Sequence, residues 1–220
     1  MEFEEAIGNT KWAILESLSR GERAASEIAE ETGASIANVS QQAKLLEAYG
    51  LIAAAKGEPQ KGAAGKPKRN YALAKELAFV AAVREGFAGK KTLKMDELHA
   101  AVLNVWFYER QEDHYFLQKL LWQQEDLVKE CLSLAVIDAN AKELHLLVVA
   151  EQEKLDDLRK RFSKICIRGP DGKEKNAISW THSPEELEEG LAIHDAYFTK
   201  LLAHPHIIID RKGALRQFIR

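Results

Sequence analysis

Between Ser35 and Lys44 the chain carries Ser35, Asn38, Ser40, Gln41, Gln42 and Lys44, with no acidic residue among them. Asn and Gln can bond an adenine edge with both amide atoms, and Ser can bond a base or a phosphate. Lys44, and further on Lys56, Lys61, Lys66, Lys68 and Arg69, could neutralise phosphates. Base-reading groups followed by a cationic run point to double-stranded DNA as partner. A second set, His194, His204, His206 and Asp210, can be drawn as a metal site. Its spacing matches no recognised ligand set, so neither a metal nor another cofactor is expected.

These groups need elements to carry them. Trp12, Ile14, Leu15 and Leu18 predict a first helix from Thr10, its N-cap, to Arg20. Ser26 opens a short helix through Thr32, and Gly33 makes a turn. Ser35 caps a third helix through Tyr49, with Ile36, Val39, Ala43, Leu45, Leu46 and Tyr49 as its apolar set and Gly50 as its stop. Leu51 to Ala55 reads as a strand and Tyr71 to Leu73 as its return. The stretch 56–69 between them, rich in Gly, Pro and Lys, reads as a mobile basic loop. Three helices, a strand, a loop and a strand give the order of a winged helix-turn-helix.

Residues 74–133 read as helical: 74–86, then 96–109 with Leu98, Ala101, Val102, Val105 and Trp106, then 115–132 with Leu117, Leu120, Leu121, Leu127, Val128, Cys131 and Leu132. This apolar surface exceeds what a wing domain covers, so it packs on itself, on the C-terminal part or on a second subunit. From 134 onward the period changes. Strands are expected at 143–150, 164–168, 177–180 and 206–210, and helices at 151–162, at 183–203 behind Ser183 and Pro184, and at 212–220. The fold class is α+β. A winged helix-turn-helix at 1–75 is followed by a helical linker and dimer interface at 76–133. A small α/β domain of about four strands fills 134–220.

The chain of 220 residues has a net charge of −3, with residues 56–75 holding six cations against Glu58. An acidic protein with one basic stretch implies a local polyanion contact. No apolar run approaches the roughly 20 residues of a membrane helix. The acidic start Met1-Glu2-Phe3-Glu4-Glu5 is not a secretory signal. Cys131 and Cys166 form no disulfide framework and read as buried thiols in a reducing cytoplasm.

The segment 26–52 resembles the ArsR-type winged-helix regulators. The shared pieces are Ile14-Leu15 with Leu18, then Leu46-Glu47-Ala48-Tyr49-Gly50-Leu51-Ile52, then Tyr71-Ala72-Leu73. The resemblance covers about residues 8–75. It implies a dimeric, sequence-specific transcriptional regulator with helix 35–49 in the major groove and the wing 56–69 on the backbone or minor groove. Gln41-Gln42-Ala43 departs from relatives, which often carry a basic residue or His and then Leu. Metal-sensing members use Cys-x-Cys in this helix. Residues 26–50 hold neither Cys nor His, so that activity is not implied, and any small-molecule effector is unassigned.

The order of elements from 132 to 210 has a weaker resemblance to minimal nucleotidyltransferase domains. Leu132-Ser133-Leu134-Ala135 stands at their Gly-Ser loop, Glu143-x-His145 at their Asp-x-Asp strand, and Ser183-Pro184-Glu185-Glu186-Leu187 at a later helix. His145 is a poor Mg²⁺ ligand, Leu132 replaces the phosphate-facing glycine, and 176–180 has no acid. The half is therefore expected to be non-catalytic, with no catalytic residue assigned. An enzyme targeted by its winged helix and a protein-binding adaptor are the alternatives.

Overall fold

The computed structural model describes residues 9–55 and 69–219. The chain divides between Lys94 and Met95 into two compact units.

In the first unit, helices α1 (Asn9–Ser19), α2 (Ala25–Thr32) and α3 (Ile36–Ala48) pack on a three-stranded sheet. The strands are β1 (Arg23–Ala24), β2 (Ile52–Ala55) and β3 (Asn70–Leu73), in the order β1-β3-β2. β2 and β3 are antiparallel, with Ile52 opposite Leu73 and Ala55 opposite Asn70. Ile14, Leu18, Ile28, Val39, Leu46, Ile52 and Tyr71 form the core. The α2–α3 turn needs Gly33, whose φ of 67° is one that side chains disfavour. This is the winged helix-turn-helix that the apolar spacing predicts.

Some details differ. Thr10 lies inside helix α1 and is not its cap. Trp12 is 58% exposed, because it stands about 200° round the helix from buried Ile14. α2 starts ahead of Ser26, and the Glu27 carboxylate accepts the Ala24 N–H at 2.7 Å. On α3, Ile36, Leu45 and Tyr49 are exposed; Val39, Ala43 and Leu46 suffice to fill the narrow stripe facing the core.

The helix expected at 74–86 is corrected to the start of an antiparallel ribbon. It consists of β4 (Leu77–Arg84) and β5 (Phe87–Lys94), joined by Glu85-Gly86. Val80, Val83 and Phe87 favour extended backbone, and Gly86 turns the chain at a φ of 74°.

The second unit holds helices α4 (Glu97–Trp106), α5 (His114–Gln123), α6 (Glu125–Glu130), α7 (Leu155–Phe162), α8 (Pro184–Ala192) and α9 (Ala196–Leu201). Its sheet has five strands, correcting the expectation of about four. They are β6 (Ser133–Ala139), β7 (Glu143–Val149), β8 (Cys166–Arg168), β9 (Glu174–His182) and β10 (His206–Asp210). The order is β10-β6-β7-β9-β8, with β7 and β9 parallel and the other pairs antiparallel. From Leu146 to Val149 β7 is buried on both faces, which explains the apolar run there. Leu144, Leu146 and Val148 face one core, and Leu147 and Val149 face another.

The first of those cores also takes Ala101, Val105, Leu117, Leu120, Leu121 and Leu127. Helices of the expected linker and dimer interface are thus the cover of this sheet, because their stripes match its apolar face. The expected helix 115–132 breaks at Gln124, and the expected helix 183–203 breaks where Asp195 caps α9 through Tyr197 N at 2.8 Å. Residues 211–218 form two short 3-10 turns and not one helix. Cys131 is buried, as expected, but Cys166 on edge strand β8 is exposed. Among the described residues no helix is long and apolar enough to cross a membrane.

Candidate nucleic-acid interface

Helix α3 has two faces. The Ser35 Oγ accepts the Asn38 backbone N–H at 3.2 Å and starts the helix. Val39, Ala43 and Leu46 turn inward. Spacing by three and four residues then places Ala37, Gln41, Lys44 and Ala48 on the outer side, all exposed, with Ser35 exposed at the N-terminal end and Ser40 half-buried. An amide, a hydroxyl and an ammonium among alanines make a low, hydrogen-bonding surface, and the helix N-terminus adds partial positive charge.

Asn38 and Gln42 are placed differently from the outer set. Both are half-buried. Asn38 Nδ2 lies 3.4 Å from Thr10 Oγ1 on α1, and Gln42 Nε2 lies 3.5 Å from Asn38 Oδ1. Their amides face the α1–α3 seam, so the outer surface of α3 rests on Ser35, Gln41 and Lys44.

Arg69 enters the sheet at the base of the wing. Its Nη2 lies 2.8 Å from both carboxylate oxygens of Glu47, and its guanidinium stands 5.5 Å over the Tyr71 ring. Lys56, Lys61, Lys66 and Lys68 lie outside the described residues, as does the mobile loop expected there.

The positions set against a nucleotidyltransferase do not converge on a metal. Ser133, expected in a phosphate loop, lies in strand β6 and donates its hydroxyl to Asp210 Oδ1 at 2.5 Å. The Glu143 carboxylate accepts from Asn140 Nδ2 at 2.9 Å and lies 3.1 Å from His145 Nε2. Those two contacts, Asn140 first, hold its carboxyl below the usual carboxylate range. The His145 ring stacks on Trp180 at 5.1 Å. His206 Nε2 contacts the Asn104 carbonyl at 2.6 Å, and Asp210 also accepts the backbone N–H of Leu215 at 2.8 Å. Among the described residues no group of three or more His, Cys, Asp or Glu is arranged to hold a metal ion.

Residues 9–54 match the family model of bacterial regulatory proteins of the arsR family. The matched segment holds α1, α2, α3 and most of β2, so it contains the whole outer face of α3. The segment is similar to the helix-turn-helix of that family, and the likeness supports a DNA-binding transcriptional regulator. No curated protein matches the chain.

Two features of this region escape a sequence reading. Glu47 neutralises Arg69 from 22 positions away, which no local spacing reveals. The ribbon β4–β5 carries Arg84, Lys90, Lys91 and Lys94. A count of charges over 77–94 exposes that bias, but only once the segment is known to be extended.

Proposed function

We propose that this chain is a dimeric, sequence-specific transcriptional regulator that sets α3 in the major groove of DNA, with the wing 56–69 on the backbone or minor groove. The observation that carries this is the outer face of α3. Gln41 can read an adenine edge, Ser35 can bond a base or phosphate, and Lys44 can meet a phosphate. One winged helix covers a half-site, so two copies on a palindrome give the discrimination a regulator needs. The second unit is non-catalytic in this reading, since Glu143 is engaged by His145 and Asn140 rather than paired with a second carboxylate. The protein works in the cytoplasm, where such DNA lies.

The test is a titration of fluorescent duplexes, one bearing the DNA upstream of the protein's own gene and one scrambled, across a salt series. Binding with a steep salt slope and a preference of about a hundredfold, or about 2.7 kcal/mol, for the upstream duplex supports autoregulation. Gln41→Ala should shrink that preference, while Lys44→Ala should weaken both duplexes alike. No binding at low salt overturns the proposal. Light scattering at micromolar concentration tests the dimer, and a monomer there removes that part. Transfer of label from Mg²⁺-ATP would overturn the non-catalytic reading.

A further inference from the structure

The ribbon β4–β5 lies outside the winged helix, and the function proposed above gives it no task. Its two strands hold Arg84, Lys90, Lys91 and Lys94 and no acidic residue; the acid in the connecting turn is Glu85. Every residue from Ala81 to Lys91 is exposed, and Val83 is 87% exposed. A two-stranded ribbon alone in water is marginal at best, so this one gains from being held. Four cations without strand acids favour a polyanion as what holds it.

The cations are set out along the ribbon. Arg84 is opposite Phe87, Ala82 opposite Gly89 and Val80 opposite Lys91, so Arg84 and Lys91 share a face, with Ala82 and Gly89 at the positions between them. Phe87 folds over Gly89, where a Cβ would lie 2.9 Å from the Phe87 ring, and the Arg84 guanidinium stands 5.5 Å from the same ring. That stacking steadies the ribbon tip and holds Arg84 close to the surface. Lys90 and Lys94 share the other face. Only residues 74–76 join β3 to β4, so Leu77 begins within roughly 14 Å of Leu73 at the end of the wing strand. The ribbon therefore starts close to the sheet that carries the wing.

We propose that β4–β5 is a second, sequence-independent DNA contact, in which Arg84, Lys90, Lys91 and Lys94 bond phosphates beside the segment read by α3. This rests on the DNA-binding reading above. It lengthens the footprint on DNA without adding base discrimination.

The full-length chain and its Lys90→Ala/Lys91→Ala variant should be titrated with the same duplexes across a salt series. The plot of log affinity against log salt should become shallower by about 1.8 for each protomer bound, at about 0.9 for each phosphate no longer neutralised. The ratio between upstream and scrambled duplex should not move. Lys90→Arg/Lys91→Arg should keep the parent slope. Unchanged melting temperatures show that both variants are folded, and Arg84→Ala, with an expected fall of about 0.9 in slope for each protomer bound, serves if the double variant is not. A parent protein that binds no duplex sinks the DNA reading itself. A parent that binds, with a variant of equal slope and affinity, overturns the ribbon contact alone. A slope that falls only because light scattering shows the variant to be monomeric also overturns it, by making the ribbon a subunit contact.

Discussion

Arg69 Nη2 sits 2.8 Å from both carboxylate oxygens of Glu47, joining the base of the wing to the last turn of α3. The pair keeps a wing cation on the protein rather than on a phosphate. Glu47→Gln should therefore tighten DNA binding and steepen the salt slope by up to about 0.9 for each protomer bound. Stability should move by no more than about 1 kcal/mol, because the pair is solvated. Weaker binding by Glu47→Gln would show that the pair positions α3 instead.

Lys175 and Asp113 form a buried ion pair in the second unit, Asp113 being fully buried, with Arg110 Nε 2.9 Å from its other oxygen. Asp113→Ala leaves Lys175 buried against the Asn140 carbonyl and the Phe116 ring, with no counter-charge, and should cost about 3–5 kcal/mol in denaturant unfolding. Lys175→Met should cost less, since Arg110 still reaches Asp113. The reverse order would mean that Arg110 contributes little.

Gly190 lies on α8 beneath α9, where an added Cβ would stand 2.1 Å from Phe198 Cδ2. Gly190→Ala should lower stability by about 1–3 kcal/mol through overpacking, although alanine favours helix. Gly190→Ala with Phe198→Leu should recover part of that loss in the same unfolding assay. If Gly190→Ala alone is as stable as the parent, α9 shifts freely.

Burial pushes the Cys131 thiol up from 9.0 to about 12, while Cys166 is exposed. At pH 8 iodoacetamide should modify Cys166 in the native protein, and both thiols once it is unfolded. The folded value lies above the unfolded one, so this contribution to stability is whole below pH 9 and is lost as pH rises from there towards 12. Native labelling of Cys131 at pH 8 would contradict the burial.

The winged helix was legible because its signals are local. Ser35 does cap α3, and Val39, Ala43 and Leu46 recur at helical spacing. The ribbon was not, because Ala78, Ala81 and Ala82 suit a helix and blur the alternation of β4. Strand β6 hides in the same way, since Leu134 to Val136 are apolar on both faces and continue the preceding helical stripe. At the candidate interface, Asn38 and Gln42 carry the right groups, but their direction depends on Thr10, 28 positions from Asn38. Polarity in a sequence names what a side chain can bond, not which way it faces.

The place of β10 has a consequence for how the second unit is made. β6 is hydrogen-bonded on one side to β7, its immediate successor, and on the other to β10. Ser133 must find Asp210, 77 positions away, before that edge closes. While the chain is being synthesised, β6 therefore waits with an open, apolar edge until residues 206–210 have left the ribosome. The interval is one of exposure to other nascent chains. The local β6–β7 and β4–β5 hairpins have no such wait. Non-local closure of this kind is slower than those local pairings.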